Sequence, residues 1–255
     1  MEDQERLLKQ VFGDSSESDA DEEHQPPSPY NSEVNDDECH STVDQATNPT
    51  WEPIKQINGL WLCRDFLSSE QQFTLLSQIQ NEGWFTESTN NQAMRFGDLP
   101  SWAIQLSNSI REIIQIGDHI SGEGKNTCLL PSNLFRREPP FDQLIVNLYQ
   151  PGEGICAHVD LMRFEDGITI VSLESSCVMH FSKVENATIG EEDHQLVDRI
   201  PVYLTPGSLV LLSGDARYQW KHEINRKPGF QIWEGQELNQ KRRTSITLRK
   251  LCRSI

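Results

Sequence analysis

The stretch NLYQPGEGICAHVD, residues 147–160, sets a Pro-Gly turn and a second glycine ahead of a histidine and an aspartate separated by one residue. A strand alternates its faces, so His158 and Asp160 point the same way if the segment is extended, and two metal-type ligands converge on one point. Alone, His-x-Asp is a weak signal, because a polar pair on an exposed strand has the same spacing. A third ligand changes the reading. Downstream, SGDARYQWKHEI (213–224) places His222 beside a strand, and RRTSITLRKL (242–251) carries Arg243 and Arg249 six residues apart.

Two histidines and one carboxylate on three positions of an iron, with the others open, form the facial triad of non-haem Fe(II) oxygenases. The even separation of Arg243 and Arg249 keeps both on one strand face, where a planar guanidinium fork suits the carboxylates of a small diacid. Triad and inward arginine together are far more specific than either alone.

Around these residues the hydrophobic period is two. LIVNLY (144–149), ITIVSLE (168–174), CVMHFS (177–182), VYLTPGSLVLL (202–212) and SITLRKL (245–251) are short strands with Gly and Pro punctuation. No helical spacer between them is long enough for a parallel crossover, so antiparallel sheets follow, folded as a double-stranded β-helix or jelly roll in a mostly β protein. Upstream, INGLWLCRDF (57–66) alternates like a strand. Ser68-x-x-Gln71 is a capping-box pattern that opens a helix with Phe73, Leu76 and Ile79 on its core stripe. After Pro100 a second helix places Trp102, Leu106, Ile110 and Ile113 on one face. Two packing helices outside the jelly roll are therefore expected.

Composition sets the boundaries. Of the net charge of −17, residues 1–50 hold 14 Asp and Glu against two Lys and Arg, a balance of −12. Their sequence, with GDSSESDADEEHQPPSP at its centre, is poor in core-forming residues and reads as a disordered acidic tail. Its LLKQVF stretch is a candidate docking helix for a protein partner, and Ser16 and Ser18 precede acidic positions as acidophilic kinases prefer. The expected organisation is a tail over 1–50 and one domain over 51–255, with lid and helices at 51–140 and the jelly-roll core at 141–255. Residues 216–255 reverse the sign, with ten Lys and Arg against three Glu, and are expected to form a local basic region able to meet phosphates. No segment has the length of a membrane span, and MEDQER lacks a signal pattern, which predicts a place in the cytoplasm or nucleus; a monomer is expected. The six cysteines are dispersed without a C-x-x-C pair, so reduced, mostly buried thiols are expected.

In order, N-x-Y-x-P-G, H-x-D, the distal histidine and R-x5-R resemble the AlkB family of Fe(II)- and 2-oxoglutarate-dependent dioxygenases, over roughly residues 51–251. The resemblance implies that His158, Asp160 and His222 hold the iron and act as the catalytic centre. It also implies that Asn147 and Tyr149 hydrogen-bond 2-oxoglutarate, that Arg243 pairs with its far carboxylate, and that Arg249 completes the pocket. MRFGDLP (94–100) is similar to the family's lid over the substrate, which makes Arg95 and Phe96 candidate substrate contacts. The implied reaction consumes dioxygen and 2-oxoglutarate, releases succinate and carbon dioxide, and hydroxylates a C–H bond. An N-methyl carbon so hydroxylated leaves as formaldehyde.

Within the family, FED, SLxS, VMxF and ARYxWxH look like the branch that hydroxylates a modified wobble uridine in tRNA. This sequence shows neither the aromatic-glycine signature of the RNA-recognition motif often joined to that branch nor the length for its methyltransferase. A modified RNA base ranks first as substrate, methylated DNA second and a protein side chain third. The rival from another class is a non-catalytic binding module on the same fold, against which the intact triad argues. His180, Cys156 and Met179 sit in alternating strands, where packing or a hydrogen bond to a ligand is expected rather than ligation. His194 falls in the acidic loop GEEDHQ and reads as solvated, and KRR (241–243) opens the strand that presents Arg243.

Overall fold

The computed structural model describes residues 50–87, 90–121, 136–184 and 199–252. Residues 1–49 of the acidic stretch, with Ser16, Ser18 and LLKQVF, lie outside the described residues, as do Cys39, Cys128, His194 and Arg253.

Helix α1 (Ser69–Asn81) starts where its capping box dictates. The Ser68 hydroxyl accepts from the Gln71 amide at 3.2 Å, and the Gln71 side chain accepts from the Ser68 amide at 2.8 Å, so two otherwise orphaned donors are satisfied reciprocally. Its core face differs from the expected stripe. Leu75 and Ile79 are buried, whereas Phe73 is 73% exposed. Residues four apart lie only about 40° from one another around a helix, while residues 73 and 79 lie about 120° apart. α1 therefore docks through one narrow seam that Phe73 misses. Helix α2 (Ser101–Ser121) follows Pro100 and buries Trp102, Leu106, Ile110 and Ile113 as the periodicity predicts.

Seven strands form the larger sheet: β1 (Trp51–Pro53), β2 (Leu60–Cys63), β3 (Gln92–Phe96), β4 (Gln143–Tyr149), β6 (Ile168–Leu173), β9 (Leu209–Leu212) and β13 (Arg243–Arg249), in the order β1-β2-β9-β6-β13-β4-β3. The smaller sheet has the order β5-β10-β7-β8, from β5 (Ile155–His158), β7 (Cys177–Lys183), β8 (Ile200–Leu204) and β10 (Trp220–Ile224). All pairings are antiparallel, as in the expected jelly roll. A ribbon of β11 (Ile232–Trp233) and β12 (Gln236–Glu237) follows β10. The turn between β6 and β7 carries the chain from one sheet to the other, with Glu174 at φ 71°. No helix among the described residues is long and apolar enough to cross a membrane.

Strand alternation divides the interior in two. One face of the larger sheet packs Cys63, Val171, Leu209, Leu211, Ile246 and Leu248 against the helices. The other face meets the smaller sheet, with Leu62, Ile170, Val210 and Leu212 against Met179, Phe181, Val202 and Ile224. On that second face β13 presents Arg243, Ser245, Thr247 and Arg249, all buried. The space between the sheets is thus apolar under β2, β9 and β6 and polar under β13. Of the four described thiols, Cys63 and Cys177 are buried and Cys156 and Cys252 exposed, all unpaired.

Candidate active site

The quoted turn carries the chain from the larger sheet to the smaller. Glu153 donates its amide to the Gln150 carbonyl at 3.0 Å, with Pro151 and left-handed Gly152 (φ 87°) between them, the residue pattern of a type II turn. Gly154 then lets β5 approach β10: an added Cβ there would lie 1.9 Å from the Ile224 carbonyl oxygen. β5 ends at His158, opposite His222 of β10, and their rings lie 4.3 Å apart. Asp160 follows two residues past the strand end. One ligand atom from each of the three lies within 4.8 Å of the others.

The electrostatics suit a divalent cation. His158 Nδ1 lies 2.9 Å from the Cys156 carbonyl and is the donor there, so Nε2 is the ring nitrogen available to a metal. Burial, then the neighbouring His158, pushes the His222 imidazole down to about 3, so its 3.9 Å approach to Asp160 is a contact of a neutral ring rather than an ion pair. Burial by itself would raise the Asp160 carboxyl, but the Arg249 guanidinium, with help from Arg217, holds it below the ordinary value. Arg249 Nη2 lies 2.7 Å from Asp160 Oδ1. Two imidazoles and an ionised carboxylate are the donor set of the facial triad.

Arg243 is 1% exposed, and its Nε and Nη2 both donate to Ser172 Oγ, at 3.1 and 2.8 Å. Its Nη1 is buried without a hydrogen-bond partner. A buried guanidinium held by one hydroxyl leaves a donor that an anionic group would satisfy. Tyr149, its partner across the strands, lies with its ring centroid 5.4 Å from the Arg243 guanidinium carbon. Burial raises the Tyr149 phenol, which stays protonated and able to donate. Asn147 Oδ1 accepts from Gln92 Nε2 at 2.6 Å, which leaves the Asn147 amide N–H groups as donors. Asn147, Tyr149, Arg243 and Arg249 thus share one face of adjacent strands β4 and β13.

His180 stands apart from the triad. It pairs across strands with Glu223, whereas the partner of His222 there is Phe181, on the opposite face of β7. Arg95 also turns away, its guanidinium carbon 4.4 Å from the Trp84 ring centroid, while Phe96 ends β3 half-exposed. The basic region expected over residues 216–255 is largely not surface. Arg217, Arg226, Arg243, Arg249 and Lys250 are buried because each has an internal acceptor: Arg226 donates to the Gln150 and Lys241 carbonyls, Arg243 to Ser172, Arg249 to Asp160 and Lys250 to Asp142. Only Lys221, Lys227, Lys241 and Arg242 among its described cations face solvent, and Arg242 is tied to Glu174.

Three contributors escaped the sequence reading: Ser172, Gln92 and Arg217. Arg217, on the four-residue helix α3 (Asp215–Tyr218), donates to the carbonyls of Asp160, Leu161 and Phe164 at 2.9, 2.7 and 3.1 Å and so fixes the backbone that carries Asp160. Its place inside the conspicuous SGDARYQWKHEI motif was the available signal.

Residues 68–249 match the family described as the 2OG-Fe(II) oxygenase superfamily. Among curated relatives, the Xenopus tropicalis protein named tRNA (carboxymethyluridine(34)-5-O)-methyltransferase alkbh8 is 28% identical over 82% of this chain. This chain spans 33% of that relative's length. The Arabidopsis thaliana protein named "Alkylated DNA repair protein ALKBH8 homolog" is 29% identical over 88% of this chain and 64% of its own. The solved structure of OsALKBH1 shares the fold, with a TM-score of 0.53 at 14% identity over 75% of this chain and 96% of that one. A family match across most of the jelly roll, a two-histidine, one-carboxylate cluster and a buried guanidinium with an unmet donor agree: the chain belongs to the 2OG-Fe(II) oxygenase superfamily, is similar within it to AlkB-type proteins, and is a dioxygenase that uses Fe(II), 2-oxoglutarate and dioxygen.

Proposed function

We propose that this dioxygenase acts on a modified base in RNA, presented single-stranded or flipped from its stack, with His158, Asp160 and His222 as the iron ligands and Asn147, Tyr149, Arg243 and Arg249 as the 2-oxoglutarate site. The observation that carries the site assignment is the buried Arg243 with its unpartnered Nη1, on the same strand face as the arginine that touches Asp160. RNA is favoured by the likeness to a relative whose name gives a tRNA uridine as its target, at 28% identity. The scarcity of exposed cations in residues 216–255 argues against strong non-specific binding to long duplexes.

Bound Fe(II), with 2-oxoglutarate and dioxygen, supplies the oxidation of a substrate C–H bond, by hydroxylation or with loss of formaldehyde from an N-methyl group. The chain supplies position and charge. Arg249 keeps Asp160 ionised and burial keeps His222 neutral, so these two ligand atoms are ready without a proton to remove, while the Cys156 carbonyl accepts from His158 Nδ1 and directs Nε2 toward them. Arg243 offers a fork to a carboxylate in a dry setting, and Tyr149 and the Asn147 amide donate beside it.

Mass spectrometry of RNA nucleosides, DNA nucleosides and protein digests from cells with and without the gene tests the substrate class. An RNA nucleoside that accumulates in its methylated or unhydroxylated form is expected. Accumulation confined to DNA or peptides would replace the RNA reading while leaving the dioxygenase in place.

A further inference from the structure

Immediately after Asp160 the chain does something costly. Leu161 and Met162 are 38% and 70% exposed, and Arg163 is exposed beside them, yet this apolar tip is held firmly from below. Arg217 grips the Leu161 and Phe164 carbonyls, Cys252 donates its amide to the Arg163 carbonyl at 2.8 Å, Glu165 donates to the Lys250 carbonyl at 2.7 Å, and Phe164 bridges to Leu251. A solvent-facing loop without a task has no need of a buried guanidinium as its anchor.

The Arg163 side chain lies between two aromatics, its guanidinium carbon 5.7 Å from the Phe96 ring centroid and 5.2 Å from that of Phe164. Arg249 lies 4.9 Å from the Phe164 ring centroid. Cations and aromatics therefore alternate in an unbroken line, Asp160, Arg249, Phe164, Arg163, Phe96, from a ligand-type carboxylate to an exposed edge ring. Strand register agrees: Phe96 pairs with Gln143 and Gln143 with Arg249, so the outer ring stands in the row of the arginine that touches Asp160. The Arg163 N–H groups donate to no carboxylate or carbonyl among the described residues, in contrast to Arg217, Arg226 and Lys250. Cation–π contact with the two rings holds the side chain in place without using its N–H donors.

We infer that Arg163, held between Phe96 and Phe164 and backed by the anchored tip at residues 161–162, is a substrate-positioning residue that pairs with a phosphodiester of a single-stranded nucleic acid and sets the adjoining base beside Met162 and Phe96, at the mouth of the Asp160 site. The inference rests on the proposed RNA substrate and adds the group that grips the strand. Apolar neighbours serve a flat base, and a fork with free donors serves a phosphate; a lysine has no such planar fork.

Fluorescence anisotropy with the full chain, Mn(II), 2-oxoglutarate and a labelled single-stranded oligoribonucleotide, run over a salt series, tests it. Arg163→Ala should weaken binding about tenfold and reduce the slope of log affinity against log salt by about one. Arg163→Lys should keep the slope and recover only part of the affinity, because a point charge cannot replace a planar fork. Melting temperatures near wild type show that the variants fold, as expected for a side chain without internal hydrogen bonds. Wild-type affinity and slope in Arg163→Ala overturn the inference and leave the RNA reading intact. Failure of the RNA reading looks different: the wild-type protein itself shows no affinity for the strand, whatever stands at 163.

Discussion

Replacing Gly154 by alanine strikes the contact on which the histidine pair depends. The new Cβ would sit 1.9 Å from the Ile224 carbonyl oxygen and 3.0 Å from its carbon, where ordinary contact begins at 3.4 Å, so the two strands must part by about 1.5 Å. Both partners are backbone atoms, and no rotamer relieves the clash. The β5 to β10 ladder contains just two register pairs, Ile155 with Ile224 and His158 with His222, separated by a bulge, so the shift enters directly beside the ring pair. Metal-ligand distances tolerate roughly 0.2 Å, and even a fraction of the displacement exceeds that. The overpacking also costs about 1–3 kcal/mol, or about 2–12 °C in melting temperature for a domain of this size. Co(II) titration, followed by its visible absorption, together with a thermal melt, should show both losses. Gly152→Ala is the control: nothing lies within 4 Å of its added Cβ, so only the left-handed backbone strain at φ 87° is felt, with stability reduced and Co(II) affinity kept. A Gly154→Ala protein with wild-type melting temperature and Co(II) affinity within twofold of wild type would refute the reasoning.

Arg243→Ala should weaken 2-oxoglutarate binding by about a hundredfold, roughly 3 kcal/mol, in calorimetry with Mn(II), and Arg243→Lys should restore only part of it; equal affinities would remove Arg243 from the role. Asp160→Ala should stop succinate formation while circular dichroism stays unchanged, and retained turnover would sink the ligand assignment. Arg217→Met removes three hydrogen bonds from a charged donor to buried carbonyls and should cost about 3 kcal/mol in urea unfolding. Iodoacetamide at pH 8, read by peptide mass spectrometry, should label Cys156 and Cys252 well before Cys63 and Cys177. Burial pushes the Cys63 thiol up to about 12 from 9.0, so its contribution to stability is full below pH 9 and fades as pH rises toward 12.

The site was legible because its chemistry needs uncommon residue types at spacings that strand geometry fixes. His158 and Asp160 differ by two, Arg243 and Arg249 by six, and both separations survive folding as shared direction. Depth of burial was harder to see. A row of arginines and lysines reads as surface charge, yet Arg217, Arg226 and Lys250 point inward because carbonyls and a carboxylate, supplied by residues 15 to 108 positions away, wait there for donors. Phe73 illustrates the same limit for a helix, since period identifies an apolar stripe but only the partner surface decides which edge of it is covered. The seam between the sheets, with apolar packing at one end and polar groups at the other, comes from strand order and not from any single strand's pattern.

Strand order has one more consequence, for the chain as it leaves the ribosome. β13 lies in the interior of the larger sheet, between β6 and β4, yet it follows every other strand in the sequence. Until it emerges, β6 and β4 are two open edges flanking a gap one strand wide, with apolar side chains on both sides and unpaired amides along the rim. A nascent protein that has already made His158, Asp160 and His222 is still without both β13 arginines and without a closed sheet. Translational stalling shortly before residue 243 should therefore produce a chaperone-dependent, aggregation-prone species with no partial activity, and release of the last strand should complete fold and catalyst in one step.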